Sequence, residues 1–116
     1  MDFLLKHINN KRLKYIYYHK NDLQMLSVMD KTESLVKYLT DTMCYNTLVK
    51  LCPGDSMVHL SWFKLNKNLH LYIFNDNIDG YCYTLNLYPD DVGEYMKSLN
   101  SNSKDEIINN IYKILG

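Results

Sequence analysis

The chain has 116 residues, a formal net charge of zero, 47% hydrophobic residues and 22% charged residues. That length supports one self-sufficient core and leaves little for a second. The composition excludes a disordered polyelectrolyte, and the neutral balance counts against strong electrostatic binding to nucleic acid by the domain as a whole. A single domain over residues 1–116 is expected.

Other features of the composition bear on origin and compartment. There is no alanine, and Arg12 is the one arginine among 13 basic residues, while tyrosine occurs 11 times. Such a bias follows from AT-rich codons and suggests a low-GC genome or a mobile element. The opening "MDFLLKHINN" has an apolar run of only Phe3 to Leu5, too short for an export signal, and no run in the chain approaches a membrane span. Cys44, Cys52 and Cys82 are an odd set without framework spacing. They suit small buried hydrophobes in a reducing cytoplasm.

Phe3, Leu4, His7 and Ile8 recur at helical spacing and predict a short helix over 2–10. Leu13–His19 and Leu23–Met29, either side of Lys20-Asn21-Asp22, predict a hairpin. Asp30 is the expected N-cap of the next helix, with Glu33 at capping-box spacing and Leu35, Val36, Leu39 and Met43 as its apolar stripe. That helix either ends near Cys44 or runs through Leu48 and Leu51 to Pro53-Gly54. Three strands follow, Met57–Leu65, Leu69–Asn75 and Tyr81–Tyr88, the first two joined by Asn66-Lys67-Asn68. Asp90 then caps a helix carrying Val92, Tyr95, Met96 and Leu99, with Lys97 late in it. Ser103 and Glu106 form a capping box for a last helix whose face is Ile107, Ile111 and Ile114. The expected fold class is α+β: an antiparallel sheet of about five strands with helices packed on it, in the order α-ββ-α-βββ-αα.

The segment Ile73–Tyr83, "IFNDNIDGYCY", raises the possibility of a calcium loop, with Asn75, Asn77 and Asp79 as alternate oxygen donors before Gly80. The first ligand is not Asp and position twelve is Asn86 rather than the bidentate Glu, so the segment reads as a hairpin turn. A two-residue Asp79-Gly80 turn sets Ile78 opposite Tyr81, Phe74 opposite Leu85 and Tyr72 opposite Leu87. Those six then share the buried face, and Ile73, Asn75, Asn77, Cys82, Thr84 and Asn86 the wetter one.

No other motif specifies chemistry. Cys44, Cys52, His59 and His70 lack the close pairs of a structural zinc site, so no metal and no cofactor is expected. Asp55, Ser56 and His59 lack the glycines of a nucleophile elbow and read as turn and strand residues. The glycines are too scattered for a phosphate loop. The four histidines, His7, His19, His59 and His70, could still converge in space, which keeps a small hydrolase using His59 or His70 as a second alternative.

Charge is uneven. Lys11, Arg12, Lys14 and Lys20 interleave with Tyr15, Tyr17 and Tyr18, a pattern that lets cations meet phosphates while rings stack on bases. A small nucleic-acid-binding module using residues 11–20 is therefore the first alternative. The preferred reading is a non-enzymatic protein-binding surface made of Asp76, Asp79, Tyr88, Asp90, Asp91, Glu94 and Tyr95, where tyrosines give rigid contact area and acids steer a basic partner. A cytoplasmic inhibitor fits this reading: an immunity protein or antitoxin that blocks a toxin, or a mobile-element protein that blocks a host factor.

Overall fold

The structure is a computed structural model. It describes Lys6, Ile8, Asn10 and residues 23–39, 47–52, 56–64, 67–75, 80–89 and 97–115. Helix α1 is Leu23–Val36. Strands β1 (Leu48–Cys52), β2 (Met57–Lys64), β3 (Lys67–Phe74), β4 (Tyr83–Pro89) and β5 (Lys97–Ser101) follow, and helix α2 is Lys104–Leu115. The strands form one antiparallel meander in the order β1-β2-β3-β4-β5. The α+β class and the five-stranded antiparallel sheet are as expected. Lys6, Ile8 and Asn10 are helical, in keeping with a helix over 2–10, and Ile8 is in the core.

Strict alternation builds the two faces. Val58, Leu60 and Trp62 on β2, Leu69, Leu71 and Ile73 on β3, and Tyr83 and Leu85 on β4 are all buried. Period two puts each set on one side of the pleat. The helices cover that side: α1 lies over β2 and β3, and α2 over β4 and β5. α1 contributes Met25, Val28, Met29, Thr32, Leu35 and Val36, and α2 contributes Ile107, Ile108, Ile111 and Leu115. Thr32 is the polar member of α1's buried set, and its hydroxyl donates to the Val28 carbonyl at 2.9 Å. The helices are also tied to each other. The Tyr112 hydroxyl donates to the Tyr38 carbonyl at 2.6 Å, and Lys104 Nζ donates to Ser34 Oγ at 3.1 Å while lying 4.6 Å from the Tyr38 ring centroid.

The start of α2 matches its sequence signal with one change. Ser103 caps it, its Oγ accepting from the Glu106 amide at 3.2 Å and its carbonyl from the Ile107 amide at 3.2 Å. The return half of the box runs through Ser101. Ser101 Oγ accepts from the Ser103 amide at 2.9 Å and donates to Glu106 Oε2 at 3.1 Å.

Several segments differ from expectation. Leu23–Met29 belongs to α1 rather than to a hairpin strand. Its 3.6-residue spacing of Met25, Val28 and Met29 outweighs its β-forming composition once a sheet lies beneath it. Asp30 is therefore mid-helix and exposed, not a cap. The helix stops at Val36, and residues 48–52 are strand β1, not a helical extension. Lys97–Ser101 is strand β5, so Leu99 and Lys97 are not in a helix. The predicted strand 13–19, together with Met43, Cys44 and residues 90–96, lies outside the described residues. Strand β3 begins at Lys67, which pairs with Lys64, so Lys67 and Asn68 are strand rather than loop. Cys52, a member of β1, and Cys82 are half-buried rather than the buried hydrophobes expected.

The β3–β4 register also departs from expectation. Tyr72 pairs with Thr84, not Leu87, a displacement of three residues. An odd displacement inverts one strand relative to the other. Ile73 is consequently buried, and Tyr72 and Phe74 are turned away from the core. Phe74 and Cys82 close the connection, the Phe74 amide donating to the Cys82 carbonyl at 2.8 Å. Asn102 clamps it from below, accepting from the Cys82 amide at 2.7 Å and donating to the Gly80 carbonyl at 3.0 Å. Gly80 has φ +81°, where a side chain would be strained although nothing lies within 4 Å of a Cβ.

Two substitutions test the faces and the cap. Leu71→Ala should cost about 2–5 kcal/mol in urea unfolding, and Phe63→Ala on the other face less than about 1 kcal/mol. Ser103→Ala should cost about 1 kcal/mol.

Candidate functional site

The face of the sheet that the helices leave open carries the most concentrated chemistry among the described residues. On it alternate His59, Ser61 and Phe63 of β2, His70, Tyr72 and Phe74 of β3, and Thr84, Asn86 and Tyr88 of β4. Registration then makes neighbours of residues distant in sequence. His59 lies across from Tyr72 and beside Lys50, Ser61 across from His70, and His70 across from Asn86.

At the centre His59 Nε2 and His70 Nδ1 are 2.8 Å apart, a hydrogen bond in which one ring donates and the other accepts. The rings stack, with centroids 5.0 Å apart. Tyr72 stacks on His59 at 4.6 Å and 11°, and Tyr88 meets His70 edge-on at 5.3 Å and 86°. Burial lowers the pKa of both imidazoles. For His59 the charge of a protonated His70 and then Lys50 add to the effect. Burial, followed by Tyr88 and Cys52, raises that of the Tyr72 phenol. Protonation of the pair is thereby disfavoured, and two positive charges this close would repel.

A polar ladder flanks the rings at β4–β5. Thr84 Oγ1 donates to Asn100 Oδ1 and Ser98 Oγ to Asn86 Oδ1, each at 2.7 Å. Phe63 is 55% exposed and Tyr88 38%. The described carboxylates, Asp30, Glu33, Asp105 and Glu106, all lie on the helices. Those helices cover the opposite face of the sheet.

Of the residues predicted for the protein-binding and nucleic-acid-binding surfaces, Tyr88 alone falls among the described residues, at the margin of this cluster. Asp76, Asp79, Asp90, Asp91, Glu94 and Tyr95 lie outside them, as do Lys11, Arg12, Lys14, Tyr15, Tyr17 and Lys20 and the histidines His7 and His19. His59 and His70 do converge, on an open pleated surface rather than in a cleft. The Ser56 hydroxyl donates to Gln24 Oε1 at 3.3 Å, while His59 bonds His70, so the Asp55-Ser56-His59 stretch builds no nucleophile–base pair. Ser56 has φ +47° and sits in the turn before β2, as its turn reading requires.

Of the candidate calcium donors, Asn77 and Asp79 lie outside the described residues, and Asn75 is engaged by Lys31. Its ammonium donates to the Asn75 carbonyl at 2.7 Å and approaches Asn75 Oδ1 at 3.4 Å, with Ser27 Oγ donating to that same Oδ1 at 3.2 Å. The two oxygens of Asn75 are thus engaged by a protein cation and a hydroxyl, and the flanking segments are strands. Among the described residues no three His, Cys, Asp or Glu side chains gather as a metal shell, and no helix is long and apolar enough to cross a membrane.

What sequence reading missed is Tyr72, Phe63, Phe74 and Asn86 as companions of the histidines. The signal was present in "MVHLSWF" and "LHLYIF", where every second residue is apolar and His and aromatic residues fill the gaps. Comparison with protein families, with characterised proteins and with solved structures finds no match to this chain.

Because both histidines have depressed pKa values when folded, the unfolded chain binds protons more readily. Their contribution to stability is complete above the ordinary value of 6.5 and is lost as pH falls from there through the folded values. The urea midpoint should fall between pH 7.5 and pH 5. It should fall less in the His59→Gln/His70→Gln variant, with equal falls refuting the assignment.

Proposed function

We propose that the chain is a non-enzymatic protein-binding domain that presents its open sheet face to a partner and blocks that partner, in the manner of an immunity protein or other inhibitor. The make-up of the face carries this reading. Met57, Phe63, Tyr72, Phe74 and Tyr88 lie on one side of three adjacent strands with His59 and His70, and no described carboxylate stands among them. Interface centres are enriched in Tyr, Phe and Met and depleted in acids, and rigid rings bind at low entropic cost. The rings of His59, His70, Tyr72 and Tyr88 already touch one another, so little ordering of these remains to be done on binding. The hydrogen bond that each histidine makes among the described side chains is to the other and not to a nucleophile, which favours binding over hydrolysis.

The acidic residues supply the second half of the reading. Tyr88 is at the end of β4, and Asp90, Asp91 and Glu94 follow within six residues. They, with Asp76, Asp79 and Tyr95, steer a partner of basic surface toward the ring cluster. A single-stranded nucleic acid is the second reading, favoured by the stacked His59 and Tyr72 rings with Lys50 beside them.

Affinity capture from the source cells, followed by identification of the retained protein, tests the proposal. Tyr72→Ala/Tyr88→Ala and, separately, Asp90→Lys/Asp91→Lys/Glu94→Lys should each weaken the purified complex about tenfold or more, while Lys37→Ala, just after α1, leaves it unchanged. Binding indifferent to both sets refutes the protein-binding reading. Retention on heparin or single strands that falls steeply with salt and requires Lys50 and Tyr72 would replace it with the nucleic-acid one.

A further inference from the structure

The side of the sheet that carries the helices is not fully covered. Between the C-terminal half of α2 and the β4–β5 edge lies an open cleft of about 330 Å3. Its size is at the lower end for small-molecule sites. Leu85, Leu87 and Leu99 form its sheet wall and Ile114 its helix wall. Lys67, Lys97 and Lys113 line it as well.

Local structure explains why lysines meet here. Lys67 has the same parity on β3 as the buried Leu69 and Leu71, and Lys97 the same parity on β5 as Leu99. The pleat therefore directs both toward the helical layer, from the strands on either side of β4. Lys113 comes down from the last turn of α2. None of the three ammonium groups bonds or pairs with another described residue, and no described carboxylate lines the cleft. Glu106, on the same helix, is turned to Ser101 at 3.1 Å. The Asn110 amide, which also lines the cleft, is held by the Glu106 carbonyl at 2.8 Å. Three cationic side chains border an apolar floor, so an anion is attracted there and the leucines offer an apolar body its place beside it.

We propose that this cleft binds a small amphipathic anion: an alkyl or aryl body seated on Leu85, Leu87, Leu99 and Ile114, with a carboxylate, sulfate or phosphate held among Lys67, Lys97 and Lys113. The ligand is a free molecule of this class. The site lies on the side of the sheet opposite the ring cluster, so it stands independently of partner binding there.

Titration calorimetry of the full chain with octyl sulfate, below its micelle concentration, tests the proposal. Saturable binding is expected, weakened at least tenfold in Lys67→Ala/Lys97→Ala/Lys113→Ala and at least tenfold weaker for uncharged octanol. Amide resonances of Leu87, Leu99 and Ile114 should shift on binding, and that of Tyr72 should not. The absence of saturable binding overturns the proposal, as does equal binding by the triple variant or by octanol. Association with phosphatidylglycerol vesicles without binding of octyl sulfate would place the anion in a membrane and also overturn it. Binding that emerges only in Asp90→Asn/Asp91→Asn/Glu94→Gln would make the chain's own acidic segment the occupant and overturn it too.

Discussion

Alternation along β3 is the constraint on which the rest of the molecule depends. Leu69, Leu71 and Ile73 are fully buried beneath the helices, and a pleated strand cannot bury them without turning His70, Tyr72 and Phe74 the other way. β3 is the central strand, so its choice propagates. β2 must set Val58, Leu60 and Trp62 beside the buried leucines, and β4 must set Tyr83 and Leu85 there. The open face is thus the complement of the core, and each residue on it is paired with a core neighbour one position away.

Energetically the two faces are unequal. The helix-bearing face removes large aliphatic side chains from water and carries most of the hydrophobic stabilisation. The open face gives up some of that gain to keep imidazoles, phenols, amides and hydroxyls in register. The His59–His70 bond and the Thr84–Asn100 and Asn86–Ser98 pairs satisfy those groups locally. A sheet face whose polar groups satisfy one another while its rings stay accessible suits reversible contact with another surface. Lys31 and Asn102 serve this arrangement from the other side, since they anchor the β3–β4 connection whose length sets the register.

Some of the architecture was legible because its signals are local. The capping residue of α2 and its apolar face depend on contacts within a few residues: the cap is where the sequence places it, apart from the relay through Ser101, and Ile107 and Ile111 are buried as expected, joined by Ile108 and Leu115 while Ile114 is half-buried. β2, β3 and β4 were legible from alternation alone. α1 was not, because Leu23–Met29 carries both periods and only a sheet beneath it selects the helical one. β1 and β5 are five residues each, too short for either period to declare itself, and pairing with β2 and β4 makes them strands. The histidine pair lay between these cases. Each His occupies a visible outward position, yet their meeting requires the Lys64–Lys67 pairing. A three-residue Asn66–Asn68 loop would have set His59 across from Asn75.

By itself, then, the sequence determined which residues can be buried and where chain segments alternate, because hydrophobicity and local capping are properties of side chains and their near neighbours. It also determined that no compact motif for metal or phosphate is spelled out. Tertiary structure alone decided the register, and with it which of two alternating sets faces the helices. That choice depends on connection lengths and on the summed burial of strands far apart in the chain. It is why His59 and His70 share a proton, why Tyr72 faces outward, and why Lys67, Lys97 and Lys113 border one cleft.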